Sequence, residues 1–316
     1  MSETTLWQRA LQTPFIAPQP GSLLAEAVTT PDVLVWRDRV HFYVGGISGG
    51  HERILTARID PALLRQQPAS TLSNPTDAFA IAVDIGPQDF DSQHVFDPAA
   101  VVVNDRVFLY YSAIGAGPDA VGLALSHDGV AFAKHGAALL EGRAPEAIWT
   151  GGVFYLFYVQ ALAHGGYAVF VATSDDGVRF VPTGRPALDV GPPGAWDSFE
   201  VTTPRVFVRG GVHYMIYAGG GDPARKDVPG AFGMARSRDL LTWERYPDNP
   251  VFVKGAAGAW DDGAIWFGTA FACGDRLCLL YEGGAERDLA RQGPALTQVG
   301  LAVVDCTTFD QQIAAW

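Results

Sequence analysis

Gly194–Gly220 reads GAWDSFEVTTPRVFVRGGVHYMIYAGG, and the chain repeats this sentence. It joins an aromatic-Asp opening (Trp196, Asp197), an apolar β run (Val206 to Val208), a Gly210-Gly211 turn and a second β run from His213 to Tyr217. Placing Gly258 under Gly194 gives GAWDDGAIWFGTAFACGDRLCLLYEGG, with Trp260 and Asp261 under Trp196 and Asp197. Placing Pro98 under Pro204 gives FDSQHVFDPAAVVVNDRVFLYYSA, where Phe90-Asp91-Ser92 falls under Trp196-Asp197-Ser198. Shorter copies are TTPDVLVWRDRVHFYVGG around Pro31 and RAPEAIWTGGVFYLFYV around Pro145. Five copies of one hairpin predict five radially repeated sheets, since a unit that cannot bury its own apolar face must stack on its neighbours.

A third strand follows the central hairpins and ends in a second repeated phrase: LALSHDGVAF (Leu123 to Phe132), VATSDDGVRF (Val171 to Phe180) and MARSRDLLTW (Met234 to Trp243). Ser-x-Asp-Gly suits a tight turn, because Asp bonds back to its own backbone and Gly tolerates positive φ. The aromatic after each turn opens a fourth strand. Each unit is therefore a four-stranded antiparallel meander, the blade of a propeller. The expected fold is all-β, a single five-bladed β-propeller over 1–316, with blades at about 22–85, 86–140, 141–190, 191–250 and 251–316. Thr13-Pro14-Phe15-Ile16 matches the linking phrases Arg185-Pro186-Ala187-Leu188 and Asn249-Pro250-Val251-Phe252 but precedes the first blade. The N-terminal segment is thus expected to pair with the last blade and close the ring, removing an exposed edge. Pro61 to Gln67 reads as a turn or two of helix within a polar 61–85 excursion that the repeat does not place.

Composition narrows the function classes. Hydrophobic residues at 48% and charged residues at 18% describe an ordinary soluble chain. The formal charge of -12, from 34 acidic and 22 basic residues, argues against a phosphate-backbone partner, which needs clustered cations. Cys273, Cys278 and Cys306 are too few and too scattered for a disulfide framework or a CxxC zinc site. The N-terminus lacks the basic start and apolar run of a secretory signal, and no apolar stretch is long enough to span a bilayer. The expectation is a cytoplasmic protein with neither nucleic acid nor membrane as partner.

In a propeller the first strand of each blade lines a central channel, so polar side chains there converge from five directions. Just before the Pro slot stand Thr30, Asp97, Ala144, Thr203 and Phe267; just after it, Asp32, Ala99, Glu146, Arg205 and Thr269. Four positions before it lie Ala27, His94, Glu141, Glu200 and Ala264. Asp32, Asp97, Glu146 and Glu200, with Asp262 near the fifth blade, are candidate acid–base groups, because such chemistry requires convergence. His94 and Arg205 are candidate binding groups, and Trp36, Trp149, Trp266 and Phe267 are candidates for a platform that stacks on a sugar ring. Asp91, Asp197 and Asp261 recur behind an aromatic, which favours a structural job at the opening of each blade.

The phrases FDPAAVVVNDRVFLYYSA and WDSFEVTTPRVFVRGGVHYMIYAGG resemble the five-bladed propeller glycosidases, the family 43 arabinofuranosidases and xylosidases and their relatives in families 32, 68 and 130. That resemblance implies an Asp-Pro in blade 1 as base, an Asp-Pro in blade 2 as orienter and pKa modulator, and a Glu in blade 3 as acid. Asp97-Pro98 matches the second motif. Blade 1 has Thr30-Pro31, with Asp32 beyond the proline; blade 3 has Glu146 after Pro145, and Arg143 where the family's Glu stands. A displacement of two keeps a strand side chain on one face, at a rise of about 6–7 Å.

The resulting expectation is a glycoside hydrolase-like enzyme acting on a furanosidic or small pyranosidic linkage, with a small molecule or oligosaccharide as substrate. Asp32 would activate water, Glu146 would protonate the leaving oxygen, and Asp97 would hold the Glu146 pKa up; Glu200, Arg205, His94, Trp149, Trp266 and Asp262 would bind substrate. The alternative is non-hydrolytic chemistry on a small metabolite (cyclisation, isomerisation or elimination) with Asp97 or Glu200 handling the proton, or a sugar-binding module without catalysis. No cofactor is expected; the resemblance admits a central Ca2+, for which the sequence has no dedicated ligand run.

Overall fold

The computed structural model describes residues 5–59, 79–289, 296–314 and 316. The turn expected at Pro61 to Gln67 lies outside them. Five antiparallel sheets form the ring, each running outward from its inner strand: Ala27–Trp36, His94–Val103, Arg143–Thr150, Glu200–Arg209 and Ala264–Cys273. In blades 2 and 4 the outermost strand is broken into two short pieces, Ala133–Lys134 with Leu140–Glu141 and Glu244–Arg245 with Phe252–Val253. The fold is the five-bladed β-propeller that the repeats predict.

Closure also follows the expectation. Gln8 and Arg9 pair with Val303 and Ala302 as the outer strand of the fifth blade, and Ile16 bridges Val299. The recurrent aromatic-Asp phrase shows why the joint holds. Asp91, Asp197 and Asp261 are buried, and each accepts a hydrogen bond from a second-strand tyrosine: Tyr111 (3.2 Å), Tyr217 (3.1 Å) and Tyr281 (2.9 Å). Each also pairs with a cation from its own blade's outer strand: Lys134 (2.8 Å), Arg245 (3.0 Å) and Arg9 (2.7 Å). Trp196 and Trp260 stack on Tyr217 and Tyr281. Arg9 therefore does for the closing blade what a resident outer strand does elsewhere.

The Ser-x-Asp turns tie neighbouring blades. Ser126 Oγ accepts from Gly129 N, Asp128 Oδ1 accepts from Val130 N and Ala131 N, and Gly129 O accepts from Tyr43 Oη of the preceding blade (2.9 Å). Tyr110 makes the same bond to Gly177 O (2.8 Å). These backbone N–H groups hold the Asp128 and Asp176 carboxyls below the usual range.

One irregularity positions everything on the axis. Every inner strand carries an extra residue in the left-handed region: Thr30 (φ 42), Asp97 (φ 53), Ala144 (φ 51), Thr203 (φ 49) and Phe267 (φ 47). The ladder register slips at each, for example between Phe96, opposite Ser112, and Ala99, opposite Tyr110. Such a bulge leaves a backbone N–H unpaired and re-aims the following side chain. Four of these N–H groups find acceptors on the preceding blade: Thr30 on Glu282 Oε2 (2.8 Å), Asp97 on Thr30 Oγ1 (3.3 Å), Ala144 on Ser112 Oγ (2.7 Å) and Phe267 on Thr203 Oγ1 (3.4 Å). The bulges form a stitched ring around the axis and divide the channel into a front and a rear half.

Candidate active site

At the front, where the inner strands begin, Phe96, Asp97, Arg143, Ala144, Thr202, Thr203, Asp227, Trp266 and Phe267 enclose a cavity of about 180 Å3. Phe96, Trp266 and Phe267 supply apolar walls. Asp97 supplies a carboxyl that is only 3% exposed. Its Oδ2 accepts from Ser112 Oγ (2.6 Å) and Ala144 N (3.2 Å). Burial pushes its pKa up to about 6 against the Ser112 bond and the Arg205 and Arg143 charges. A carboxyl titrating there can give and take a proton near neutrality.

Opposite blade 2, the 221–230 loop of blade 4 brings in Asp227 (φ 62). Its carboxylate pairs with Arg143 and accepts from Tyr167 Oη (3.3 Å). Its backbone is held twice, the N–H by Glu200 Oε2 (3.0 Å) and the carbonyl by Trp266 Nε1 (3.0 Å). The Arg143 guanidinium lies 4.4 Å from the Tyr167 ring centroid, and Lys226 Nζ 4.6 Å from it.

Two more acids stand behind Asp97. Glu52 bonds Thr29 Oγ1, and a Cβ on Gly45 would collide with both, so that glycine makes the room. Burial pushes the Glu52 carboxyl up to about 8 and Glu282 to about 7, with Asp97 adding to each. The inner-strand pattern reveals neither, because Glu52 sits on the third strand of blade 1 and Glu282 on the second strand of blade 5. Glu282 did leave a signal: it replaces Ala218 of Tyr-Ala-Gly-Gly in the otherwise matching Tyr281-Glu282-Gly283-Gly284. Asp227, in a loop outside the repeat, left none.

The other expected residues are spread over the molecule. Asp32 and Glu146 do not join Asp97. They lie with Arg205 in the rear half, lining another cavity. The expectation of a shared face assumed an unbroken period of two, and the left-handed residue before each proline breaks it. Asp32 Oδ2 accepts from Ala100 N (2.8 Å) and Glu146 Oε1 from Val206 N (2.9 Å), so each tethers an adjacent blade. Burial raises both carboxyls, Glu146 to about 8, where Arg205 opposes and Asp32 reinforces it. Asp97 is not what lifts Glu146. Arg205 meets Glu146 at 3.7 Å, and donates to Pro145 O (2.8 Å) and Pro98 O (3.0 Å).

Glu200 is buried beneath the Asp227 loop as its anchor, and burial raises its pKa. His94 Nδ1 accepts from Glu52 N (3.2 Å), a peg between blades 1 and 2 outside the front cavity. Asp262 accepts from Gly258 N (2.7 Å) and Glu286 N (2.9 Å), which lower its pKa and fix a loop. Trp149 sits 38% exposed near the rear end of its strand, so of the expected platform Trp266 and Phe267 line the front cavity, where Phe96 joins them. Central Ca2+ fits this residue set poorly. No group of three or more His, Cys, Asp or Glu converges at metal distance among the described residues, and the Arg205 guanidinium already reaches from blade 4 to the carbonyls of blades 2 and 3.

No family model and no curated protein matches the chain. Solved structures do. A glycosyl hydrolase from Bacteroides ovatus superposes with a TM-score of 0.70 at 16% identity, covering 96% of this chain and 94% of that one. A thermostable family-43 glycoside hydrolase gives 0.64 at 16% identity, over 91% and 92%. The β-1,2-mannobiose phosphorylase from Listeria innocua, solved with β-1,2-mannobiose, gives 0.66 at 15% identity, over 98% and 99%. The chain therefore has the five-bladed propeller fold of the glycoside hydrolases and phosphorylases. No helix among the described residues is long and apolar enough to cross a membrane.

Proposed function

We propose that this chain is a sugar-active enzyme that cleaves a small furanosidic or pyranosidic linkage in the front cavity, with Asp97 as general acid. The observation that carries this reading is a buried carboxyl held near pKa 6 in an aromatic-walled cavity at the channel mouth. Protonated Asp97 gives its proton to the glycosidic oxygen as the C–O bond breaks. Water adds at the anomeric carbon, and its proton passes to the Asp227 carboxylate, which Arg143 and Tyr167 keep in place. Groups whose surroundings separate their roles are the usual basis for assigning acid and base. A cavity of about 180 Å3 has room for one sugar unit.

A second reading is favoured by one specific observation. The blade 1 and blade 3 positions that the glycosidase resemblance would fill with carboxylates hold Thr30 and Arg143. In that reading Asp97 alone moves a proton on a bound sugar-derived metabolite, in an isomerisation or elimination. Release of nitrophenol from a panel of nitrophenyl furanosides and pyranosides distinguishes the two. Hydrolysis of the matching methyl glycoside, whose alkoxide leaving group needs the proton that nitrophenolate does not, reduced by at least about 100-fold in Asp97→Asn supports the first. Methyl glycoside hydrolysis that survives the substitution sinks the Asp97 assignment.

A further inference from the structure

Behind the bulge ring the channel opens a second time. Asp32, Glu146 and Arg205 line a cavity of about 180 Å3 together with Val33, Leu34, Val101, Val102, Ile148 and Val206. The charged residues are 6%, 7% and 2% exposed in that order, whereas the apolar ones are half-buried toward the rear of the ring. It is a pit with apolar walls and a charged floor.

Two acids share one base on that floor, and the base is already engaged. Arg205 Nη1 donates to Pro145 O and Pro204 O, Nη2 donates to Pro98 O, and Nε, which has no acceptor, is sealed from the cavity. Three of its five N–H groups are thus taken by carbonyls and the side chain is only 2% exposed, so an anion entering the pit meets little of the guanidinium. Glu146 Oε2 stops 3.7 Å from Nη1, beyond hydrogen-bond length, while its Oε1 is anchored on Val206 N. Blades 2 and 5 add Ala100 and Thr269 but no ionisable group. A buried carboxylate without a full partner is costly and keeps a proton instead, in line with a Glu146 pKa of about 8. What the floor lacks is a second cation.

We propose that this rear pit binds a small primary alkylammonium ion, the ammonium taken by Asp32 and Glu146 and the alkyl body by Val33, Leu34, Val101 and Val102. Binding replaces the Glu146 proton with the ligand's charge, so one proton leaves as one cation enters. A bare alkali ion finds no cage of oxygens here, and a neutral alcohol brings no charge to take the place of the Glu146 proton. The inference is independent of the front cavity, since none of these residues lines it.

Isothermal titration of the full chain with isobutylammonium chloride at pH 7.5, in phosphate and in HEPES, tests it, with isobutanol and potassium chloride as controls. The expected result is one saturable site, a heat that differs between buffers by close to one released proton, and isobutanol at least about tenfold weaker, the worth of a hydrogen bond to a charged group. Glu146→Gln keeps an oxygen for Val206 N and should lose that tenfold preference and the proton release together. Leu34→Trp fills the pit without touching the charges and should abolish binding. No saturable binding at millimolar ligand, equal binding of potassium or isobutanol, or affinity unchanged in both folded variants would overturn the proposal.

Discussion

Replacing Asp97 with Asn should make the protein more stable at neutral pH. The carboxyl is nearly fully buried, and burial raises its pKa from 3.8 to about 6. A raised carboxyl binds its proton more tightly in the folded chain than in the unfolded one. Its contribution is therefore complete below the unfolded pKa and is lost as pH climbs through about 6. A shift of about two units corresponds to about 3 kcal/mol at pH 7. Asn has the same shape, can accept the Ser112 and Ala144 hydrogen bonds through its oxygen, and carries no charge to desolvate. Equilibrium urea unfolding at pH 4.0 and pH 7.5 measures the effect. The variant should gain up to about 3 kcal/mol over the parent at pH 7.5 and little at pH 4.0. A variant that is equal or weaker at both values would refute the claim that burial of this charge is a cost the fold carries for a function.

Three other perturbations probe separate parts of the argument. Arg9→Ala removes the cation from buried Asp261 and should cost about 3 kcal/mol, detectable as a lower urea midpoint and as earlier amide exchange in Val299 to Val304; unchanged protection there would show that the N-terminal strand is not the clasp. Asp38→Gly places glycine where φ is 52 in an exposed hairpin turn that blades 3 and 4 build from Gly-Gly, and should stabilise by about 0.5–1 kcal/mol. Arg143→Ala takes away a charge that lowers the Asp97 pKa, so carbon-13 titration of the Asp97 carboxyl should move upward; a fall would mean that Arg143 does not act on Asp97.

Asp97 and Asp32 show what a one-dimensional reading can and cannot reach. Both were visible as acids flanking a recurrent proline, and only one belongs to the front cavity. The difference is a single left-handed residue per inner strand, which Thr30, Ala144, Thr203 and Phe267 adopt without being glycine. Nothing in those side chains announces it; the N–H groups of Thr30, Asp97, Ala144 and Phe267 find their acceptors on the preceding blade, which only the folded ring brings near. Asp91, Asp197 and Asp261 were readable as structural because repetition of a buried acid behind an aromatic signals a shared mechanical task, and their tyrosine and cation partners make that task plain. Asp227 and Glu52 were out of reach, one in a loop outside the repeat and one in a third strand whose facing was unknown.

The amino-acid order by itself determined the blade count, the four-stranded meander, the return of the N-terminal segment to the fifth blade and the acids available near the axis. Those features depend on local alternation, turn chemistry and repetition, all carried by neighbours in the chain. Only the folded ring decided which acids meet, because that depends on how five bulged strands are rotated about one axis. It sent Asp97 to the front with Arg143 and Asp227, and Asp32 and Glu146 to the rear with Arg205.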